Sequence, residues 1–422
     1  MPFGLTRAQW RVFVAAWLGW GFDVFDGLLF NFVAPVAVPR LLGIDPADPA
    51  SAATVARTTG LVTALLLVGW ATGGIAFGWL TDRVGRARTL GVTVVVYAGA
   101  TAACALAPDI WTLVALRAVA SLGIGGEWAA GAALVAEVVP ERHRVALGAL
   151  LYTASPIGIF VAAWVTDLLT HRIDALVAAP DLAWRLVFLT GLVPAAFAIW
   201  VRRRVEEPAA WTEAGGPHPR LRDLFSPELR GATLGGLLLC VVTLIAWWGT
   251  NAFLPFVVEH LVGGADPGAV ADAKGRATAL FTLGGLVGAL GTIPLARVGR
   301  RALFACYFAG SAAAIWATFG VDWPPATRLA LLFTTGVTVF GVNAAFGFYL
   351  PELFPVRLRG TGAGFCYNTG RYLAAVGPFL VGRVLAVAPT PMDAIKWVAL
   401  VPLVGLACVP LARETARRPR DR

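Results

Sequence analysis

The stretch Gly78-Trp79-Leu80-Thr81-Asp82-Arg83-Val84-Gly85-Arg86-Ala87-Arg88 lies between two long apolar runs, and its tetrad Arg-Val-Gly-Arg returns as Arg297-Val298-Gly299-Arg300, 214 residues later. A second pattern, E-x-x-P-x-x-x-R, is present as Glu137, Pro140 and Arg144 and again as Glu352, Pro355 and Arg359, at an offset of 215 residues. Two patterns that recur at nearly the same offset point to an internal duplication, because a chance match of one does not fix the spacing of the other. The junction is expected near the polar segment 202–230. That segment holds Pro208, Gly215, Gly216, Pro217, Pro219 and Pro227, residues that suit a surface connection and not a further span.

The repeated unit reads as a bundle of membrane helices. Hydrophobic residues fill 58% of the 422 positions and the mean hydropathy is +0.73, which leaves too little polar surface to cover a water-soluble globule. Apolar runs long enough to cross a hydrocarbon core of roughly 30 Å recur along the chain. They predict twelve helices at 11–36, 58–80, 88–107, 112–137, 145–169, 184–201, 232–258, 278–296, 302–320, 328–351, 361–387 and 394–411. The expected fold is all-α: twelve transmembrane helices in two six-helix bundles related by pseudo-twofold symmetry. The bundles occupy 1–201 and 231–422, with a cytoplasmic linker over 202–230. Such halves place a solute site between them near the bilayer midplane.

The net charge is +9, yet the basic residues form short clusters between spans and no stripe interleaved with aromatics, which argues against nucleic acid as a partner. Arg83, Arg86 and Arg88, then Arg142 and Arg144, Arg202 to Arg204 with Arg220, Arg222 and Arg230, Arg297 to Arg301, Arg357 and Arg359 fall in alternate connections. Asp45, Asp48, Asp174, Asp181 and Asp266 mark the others. The positive-inside rule then puts both termini in the cytoplasm of a multi-pass protein of the plasma (inner) membrane. No cleavable signal pattern precedes the first span.

Cys104, Cys240, Cys306, Cys366 and Cys408 all fall in apolar spans without metal spacing, so free buried thiols are expected and no metal site. Lys274 and Lys396 are the only lysines and neither follows a Gly-rich phosphate loop, so no nucleotide cofactor is expected. No intramembrane nucleophile or His–acid constellation is present to make the chain an enzyme. His143, His171, His218 and His260 all read as loop residues. The expected partners are a small-molecule solute, protons and the lipid bilayer, with a monomer sufficient.

Ionisable groups in a membrane helix cost at least about 2.5–3.5 kcal/mol each by insertion scales, so those retained are functional candidates. Asp23 and Asp26 lie three apart in the first span, on one helical face. Both cannot ionise cheaply in a low dielectric, so the pair is a candidate proton site. The alternative is a hydrogen-bonded structural role. Arg117 of the fourth span falls at the depth of Asp26 if the two helices run antiparallel. It is expected to neutralise the acids while the site is empty and to release them as substrate arrives, and it is a candidate contact for the substrate anion as well; a static ion pair is the competing reading.

Arg371, three residues after Asn368, offers a planar fork for a carboxylate from the second half. A carbonyl-bonded arginine is the alternative. Glu127, in a Gly-rich run of the fourth span, suits a proton path or a structural network equally. Tyr152, Trp248, Asn251 and Asn343 supply polar and aromatic groups fit to line a solute site, though aromatics also face lipid. At the inner helix ends, Gly78, Asp82, Arg83, Gly85, Arg86, Glu137, Arg144, Glu352 and Arg359 form a candidate cytoplasmic gate, whose ion pairs exist only when that end closes. Topology marking explains the arginines alone, not the matched glutamates.

These motifs resemble the major facilitator superfamily over nearly the whole chain. Gly78 to Arg88 is similar to its loop 2–3 signature, and Arg117 with Gly123 to its fourth-helix signature. Within the superfamily, Gly123-Ile124-Gly125-Gly126-Glu127-Trp128, Pro351-Glu352-Leu353-Phe354-Pro355 through Arg359-Gly360-Thr361-Gly362, and Phe365-Cys366-Tyr367-Asn368-Thr369-Gly370-Arg371 resemble the sialate, lactate and related carboxylate:proton symporters. The resemblance implies a secondary active symporter of a small organic anion working by alternating access, and supports the pairing of Arg117 with the acids of the first span. A sugar or other neutral-solute porter of the same superfamily, or a transport-inactive sensor, remains the alternative. One departure stands out: Ala296 occupies the place at which Asp82 would repeat.

Overall fold

A computed structural model describes residues 2–45, 49–213, 219–251, 254–263, 267–385 and 390–416; Asp48, His218, Asp266 and the linker stretch 214–218 lie outside the described residues. Among the described residues every regular element is helical. The first half contains α1 (Arg7–Leu42), α2 (Pro49–Val84), α3 (Arg86–Cys104), α4 (Ile110–Val138), α5 (Arg144–Tyr152 and Ala154–Asp167) and α6 (Pro180–Leu189 and Leu192–Arg204). The second contains α7 (Arg230–Asn251 and Leu254–Leu261), α8 (Pro267–Leu295), α9 (Arg300–Ile315), α10 (Pro325–Leu353), α11 (Arg359–Leu385) and α12 (Pro391–Leu411).

Local chemistry sets the ends and breaks. α1 starts at Thr6, whose hydroxyl accepts the Gln9 N–H while the Gln9 side chain accepts the Thr6 N–H, a capping box. Asp109 caps α4 by accepting the N–H groups of Trp111 and Thr112. α5 breaks at Thr153 and α6 at Thr190 and Gly191. In each, a proline follows (Pro156, Pro194) that lacks the N–H due to the carbonyl four residues earlier and crowds it. Several helices outrun the apolar spans expected from sequence, α1 and α2 reaching 36 residues each, because backbone hydrogen bonding carries a helix past the edge of the apolar run.

The two halves pack alike. In the first, α4 lies against α2 and α3, α1 against α5 and α3 against α6; in the second, α10 lies against α8 and α9, α7 against α11 and α9 against α12. The halves meet where α2 crosses α11 and where α5 crosses α8 and α10, again a matched pair of contacts. This is the two-bundle architecture with pseudo-twofold symmetry. Large apolar side chains such as Val95, Trp164, Leu403 and Val404 lie exposed on its perimeter, as expected where lipid is the solvent.

Two expectations need correction. Cys306 is exposed and Cys408 half-buried, since they sit on outward faces of their helices, while the other three thiols are buried. His171 and His260 lie within helical turns, not loops, because α5 and α7 extend beyond their apolar cores; both are exposed.

Candidate functional site

The arginine-rich helix ends form a closed layer. Gly85 is the single non-helical residue between α2 and α3, at φ +119°. A side chain there would be strained and would meet the Glu207 carboxylate. This tight corner swings Arg86 back under α2, where its guanidinium contacts Asp82 at 2.9 Å and Glu137 at 2.9 Å, all three side chains buried. Arg86 also donates to the Val356 carbonyl of the second half at 2.7 Å.

Asp82 reaches across in the same direction. Its oxygens accept the Gly360 N–H at 3.2 Å, the Thr361 N–H at 2.7 Å and the Thr361 hydroxyl at 2.6 Å. These are the free donors of the first turn of α11, where a carboxylate is favoured by both hydrogen bonding and the helix dipole. Arg359 stands 3.9 Å from Glu137 and donates to the Pro351 carbonyl. Gly78 lets α2 and α11 approach: a Cβ there would lie 2.8 Å from the Gly360 carbonyl oxygen and 3.1 Å from the Gly364 Cα.

The second half repeats the layer incompletely. Arg300 pairs with Glu352 at 2.7 Å, but in place of a carboxylate partner on α8 it finds only the Ala296 backbone carbonyl, at 2.8 Å. Among the described residues, no side chain therefore caps the start of α5 as Asp82 caps α11. Arg144 lines a small cavity with Glu352 and Arg359, its Nε without a partner. Arg83 is exposed and stacks over Trp79 of its own helix at 4.0 Å, so it adds no contact between the halves of the kind Arg86 makes.

Sequence reasoning missed a third repeated element in this layer. Glu207 accepts the N–H groups of Arg86, Ala87 and Arg88 at the start of α3, and Glu414 accepts those of Arg300 and Arg301 at the start of α9. The signal was available: each half ends its last helix with an acid a few residues on. The linker also docks on this layer, with Trp211 donating to the Asp82 carbonyl and Trp79 to the Pro219 carbonyl.

Deeper in the bundle, Arg117 and Asp26 meet at 2.6 Å, both side chains buried. Arg117 also donates to the Asp26 backbone carbonyl at 2.9 Å and the Thr101 hydroxyl at 3.0 Å, while Thr101 donates to Asp26 at 2.7 Å. Only the Arg117 Nε lacks a partner. Asp23 differs sharply. Neither of its oxygens has a hydrogen-bond partner, and it is fully buried. It lies within electrostatic reach of Glu127, Arg371 and Asp26. Glu127 is fully buried too, with one oxygen unpartnered and the other 3.4 Å from the Thr93 hydroxyl. Tyr97 adds an unpartnered buried hydroxyl beside them.

From the other half, Arg371 projects inward, 5% exposed. Its guanidinium lies over Trp70 at 4.1 Å and Tyr367 at 4.9 Å and donates to Asn368 at 2.5 Å. Among the described residues no carboxylate lies within ion-pair distance of it. Aromatic contacts then run between the halves: Trp128 stacks on Tyr367 at 4.2 Å, Trp20 meets Trp128 and Tyr152, and Tyr152 meets Phe340, which meets Trp247 beside Trp248. Asn343 joins by accepting the Tyr367 hydroxyl at 3.3 Å. Asn251 is half-buried, one turn beyond Trp248. Trp20, Trp70 and Tyr97 were not expected, since a tryptophan or tyrosine in an apolar span carries no mark of which way it faces.

Comparison with known proteins shows the family of the chain. The sequence profile of the Major Facilitator Superfamily matches residues 15–378. The gentisate transporter of Corynebacterium glutamicum is 28% identical over 396 residues, covering 89% of this chain and 82% of that protein. The sialic acid transporter NanX of Escherichia coli is 24% identical over 378 residues, covering 88% and 86%. Among solved structures, the proton:xylose symporter XylE bound to 6-bromo-6-deoxy-D-glucose superposes with a TM-score of 0.79 at 16% identity, covering 95% of this chain and 94% of that one. With two matched six-helix bundles, a charged layer at one end and a polar centre between the halves, the chain belongs to the Major Facilitator Superfamily of membrane transporters.

Proposed function

We propose that this chain is a secondary active transporter that carries a small organic carboxylate together with protons, by alternating access, across the plasma (inner) membrane. Both termini and the arginine-rich layer face the cytoplasm in this reading, with the bundles at 1–201 and 231–422 moving about the linker. The observation that carries it is the charge arrangement at the centre: the buried Arg371 guanidinium has no carboxylate at ion-pair distance among the described residues, and the buried Asp23 and Glu127 carboxyls keep oxygens without partners.

The Arg371 guanidinium lies over the rings of Trp70 and Tyr367, and its planar fork is one that a carboxylate matches by two parallel hydrogen bonds. The surrounding indole and phenol faces suit a ring-bearing acid, in line with the gentisate and sialic acid named for two relatives. Asp23 and Glu127 have free oxygens in a sealed interior, where an unpaired charge costs several kcal/mol and a bound proton removes that cost. Arrival of a proton with an anion leaves the centre without excess charge, which links the two movements. Arg117 has both terminal nitrogens engaged by Asp26 and Thr101 in this state. The anion contact therefore falls to Arg371, and the proton to Asp23 with Glu127.

Purified protein in liposomes, offered radiolabelled gentisate, sialate, lactate and xylose with and without an inward proton gradient, tests this directly. Gradient-driven accumulation of a carboxylate and not of xylose is the expected result. Accumulation of xylose alone would establish the neutral-solute reading, and absence of counterflow for every solute would leave a sensor.

A further inference from the structure

The end of the second half opposite the charged layer, outer in the orientation proposed above, holds a cavity of about 450 Å³ that the transport cycle just described does not use. Its walls come from the end of α7 at His260, the α9–α10 connection and the start of α12. Its volume falls within the roughly 300–1,000 Å³ typical of sites for small ligands.

Arg328 of α10 is the group that needs explaining. Its side chain is 7% exposed, yet its Nε has no partner. One terminal nitrogen donates to the Val321 carbonyl at 2.8 Å and stands 3.5 Å from Asp322. The Asp322 side chain is wholly exposed, so water screens what attraction it offers. A second cation, Lys396, enters from α12, with Asp393 at 2.8 Å accepting only one of its three protons. Phe319 and Met392 are buried beside these groups and give the cavity an apolar surface.

We infer that this cavity is a second, outer anion site for a small ring-bearing carboxylate, with Arg328 and Lys396 receiving the carboxylate and Phe319 and Met392 the hydrocarbon. The carboxylate class rests on the function proposed above; the anion site does not. Occupancy would hold substrate beside the outer end of α7 and so raise its concentration at the mouth of the central path.

The test uses ¹⁹F NMR of 4-fluorobenzoate with the full chain in nanodiscs, in an Arg371→Ala background that removes the central anchor. Saturable line broadening should persist there. Adding Arg328→Gln should weaken it about tenfold, as loss of a charge-assisted contact does, and Lys396→Gln should weaken it by a smaller factor. Lys396→Gln breaks no backbone hydrogen bond and serves if Arg328→Gln fails to fold. The neutral 4-fluorobenzamide should not bind. Absence of saturable binding in the Arg371→Ala background, binding indifferent to both outer substitutions, or equal binding of the amide each overturns the site. If wild-type liposomes accumulate no carboxylate while this binding stands, the transport reading fails and the outer site does not.

Discussion

The Asp82 carboxylate at the end of α2 accepts both the N–H and the hydroxyl of Thr361, at 2.7 and 2.6 Å, so an acid of the first half caps the opening turn of a helix in the second. No covalent or apolar contact does this. The bond between the halves is a cap, and a cap is made or lost as a unit when the helix end moves away. Because Asp82 is also the partner of Arg86 at 2.9 Å, separation of the halves strips the Thr361 cap from Asp82 and the Val356 carbonyl from Arg86, and leaves the Asp82–Arg86–Glu137 cluster to the first half alone.

Replacing Asp82 by Ala is expected to reduce uptake while expression stays near wild type. A helix cap of this kind is worth about 0.5–2 kcal/mol, which shifts the open–closed equilibrium by a few-fold to about thirtyfold toward the state open at the arginine-rich end. Initial uptake rates in membrane vesicles, compared at matched protein levels, check it. Unchanged uptake would mean that these charges only mark topology.

Asp23 and Asp26 should separate in their effects. Asp26→Asn leaves the Arg117 guanidinium buried without its charge partner, so a loss of about 3–5 kcal/mol in stability is expected, seen as a lowered melting temperature. Asp23→Asn removes an acid that nothing pairs with and should leave stability near wild type. It should abolish the pH dependence of accumulation while counterflow continues. An Asp26→Asn protein that folds and retains proton-driven uptake with unchanged pH dependence confines the coupling role to Asp23 and Glu127. Loss of that dependence in Asp26→Asn alone would return the role to Asp26.

The bundle architecture and the acid–arginine pairs at the helix ends were legible because each leaves a local mark: an apolar run, or an acid matched to an arginine in a motif that recurs at a near-constant offset. The Asp26–Arg117 contact was legible because charges inside spans are few and depth follows from helix rise. What escaped was rotation about the helix axis. Nothing in the sequence separates Trp70 and Trp128, turned toward the centre, from Trp164, turned outward and exposed. The docking of Trp211 under the arginine-rich layer was hidden for a different reason, since the proline- and glycine-rich composition of the linker reads as solvent-exposed connection whatever it rests on.

Arg371→Lys keeps the positive charge and removes the fork and its stacking surface. Carboxylate affinity is expected to fall by about tenfold or more, the equivalent of one of two charge-assisted hydrogen bonds. Competition of unlabelled acids against a radiolabelled one measures it. Wild-type affinity for every carboxylate tested would remove Arg371 from the site.

Glu414 gives a pH-dependent prediction outside the membrane spans. Partial burial works to raise its pKa, but the N–H donors of Arg300, Ala416 and Arg301 outweigh it and hold the carboxyl below the ordinary glutamate range. A depressed value in the folded state means stabilisation that is complete above the ordinary range and lost as pH falls through it to the folded value. Glu414→Gln should therefore melt at a lower temperature than wild type at neutral pH, with the gap closing below about pH 4. A gap that persists unchanged into acid would show that the glutamate acts by shape alone.

Gly364 tests whether the halves must touch by backbone. A Cβ there would lie 2.6 Å from the Gly74 carbonyl oxygen and 3.1 Å from the Gly78 Cα, and backbone on both sides cannot give way as a flexible side chain does. Gly364→Ala should force α2 and α11 apart by a fraction of an ångström, enough to lengthen the Asp82 cap one turn away beyond hydrogen-bond distance. Its uptake defect should thus resemble that of Asp82→Ala, and the double variant should be little worse than either single one, because both act on the same contact. Additive defects would place the glycine crossing and the cap in separate steps of the cycle. Wild-type uptake by Gly364→Ala would show that the crossing opens at no cost and does not hold the gate.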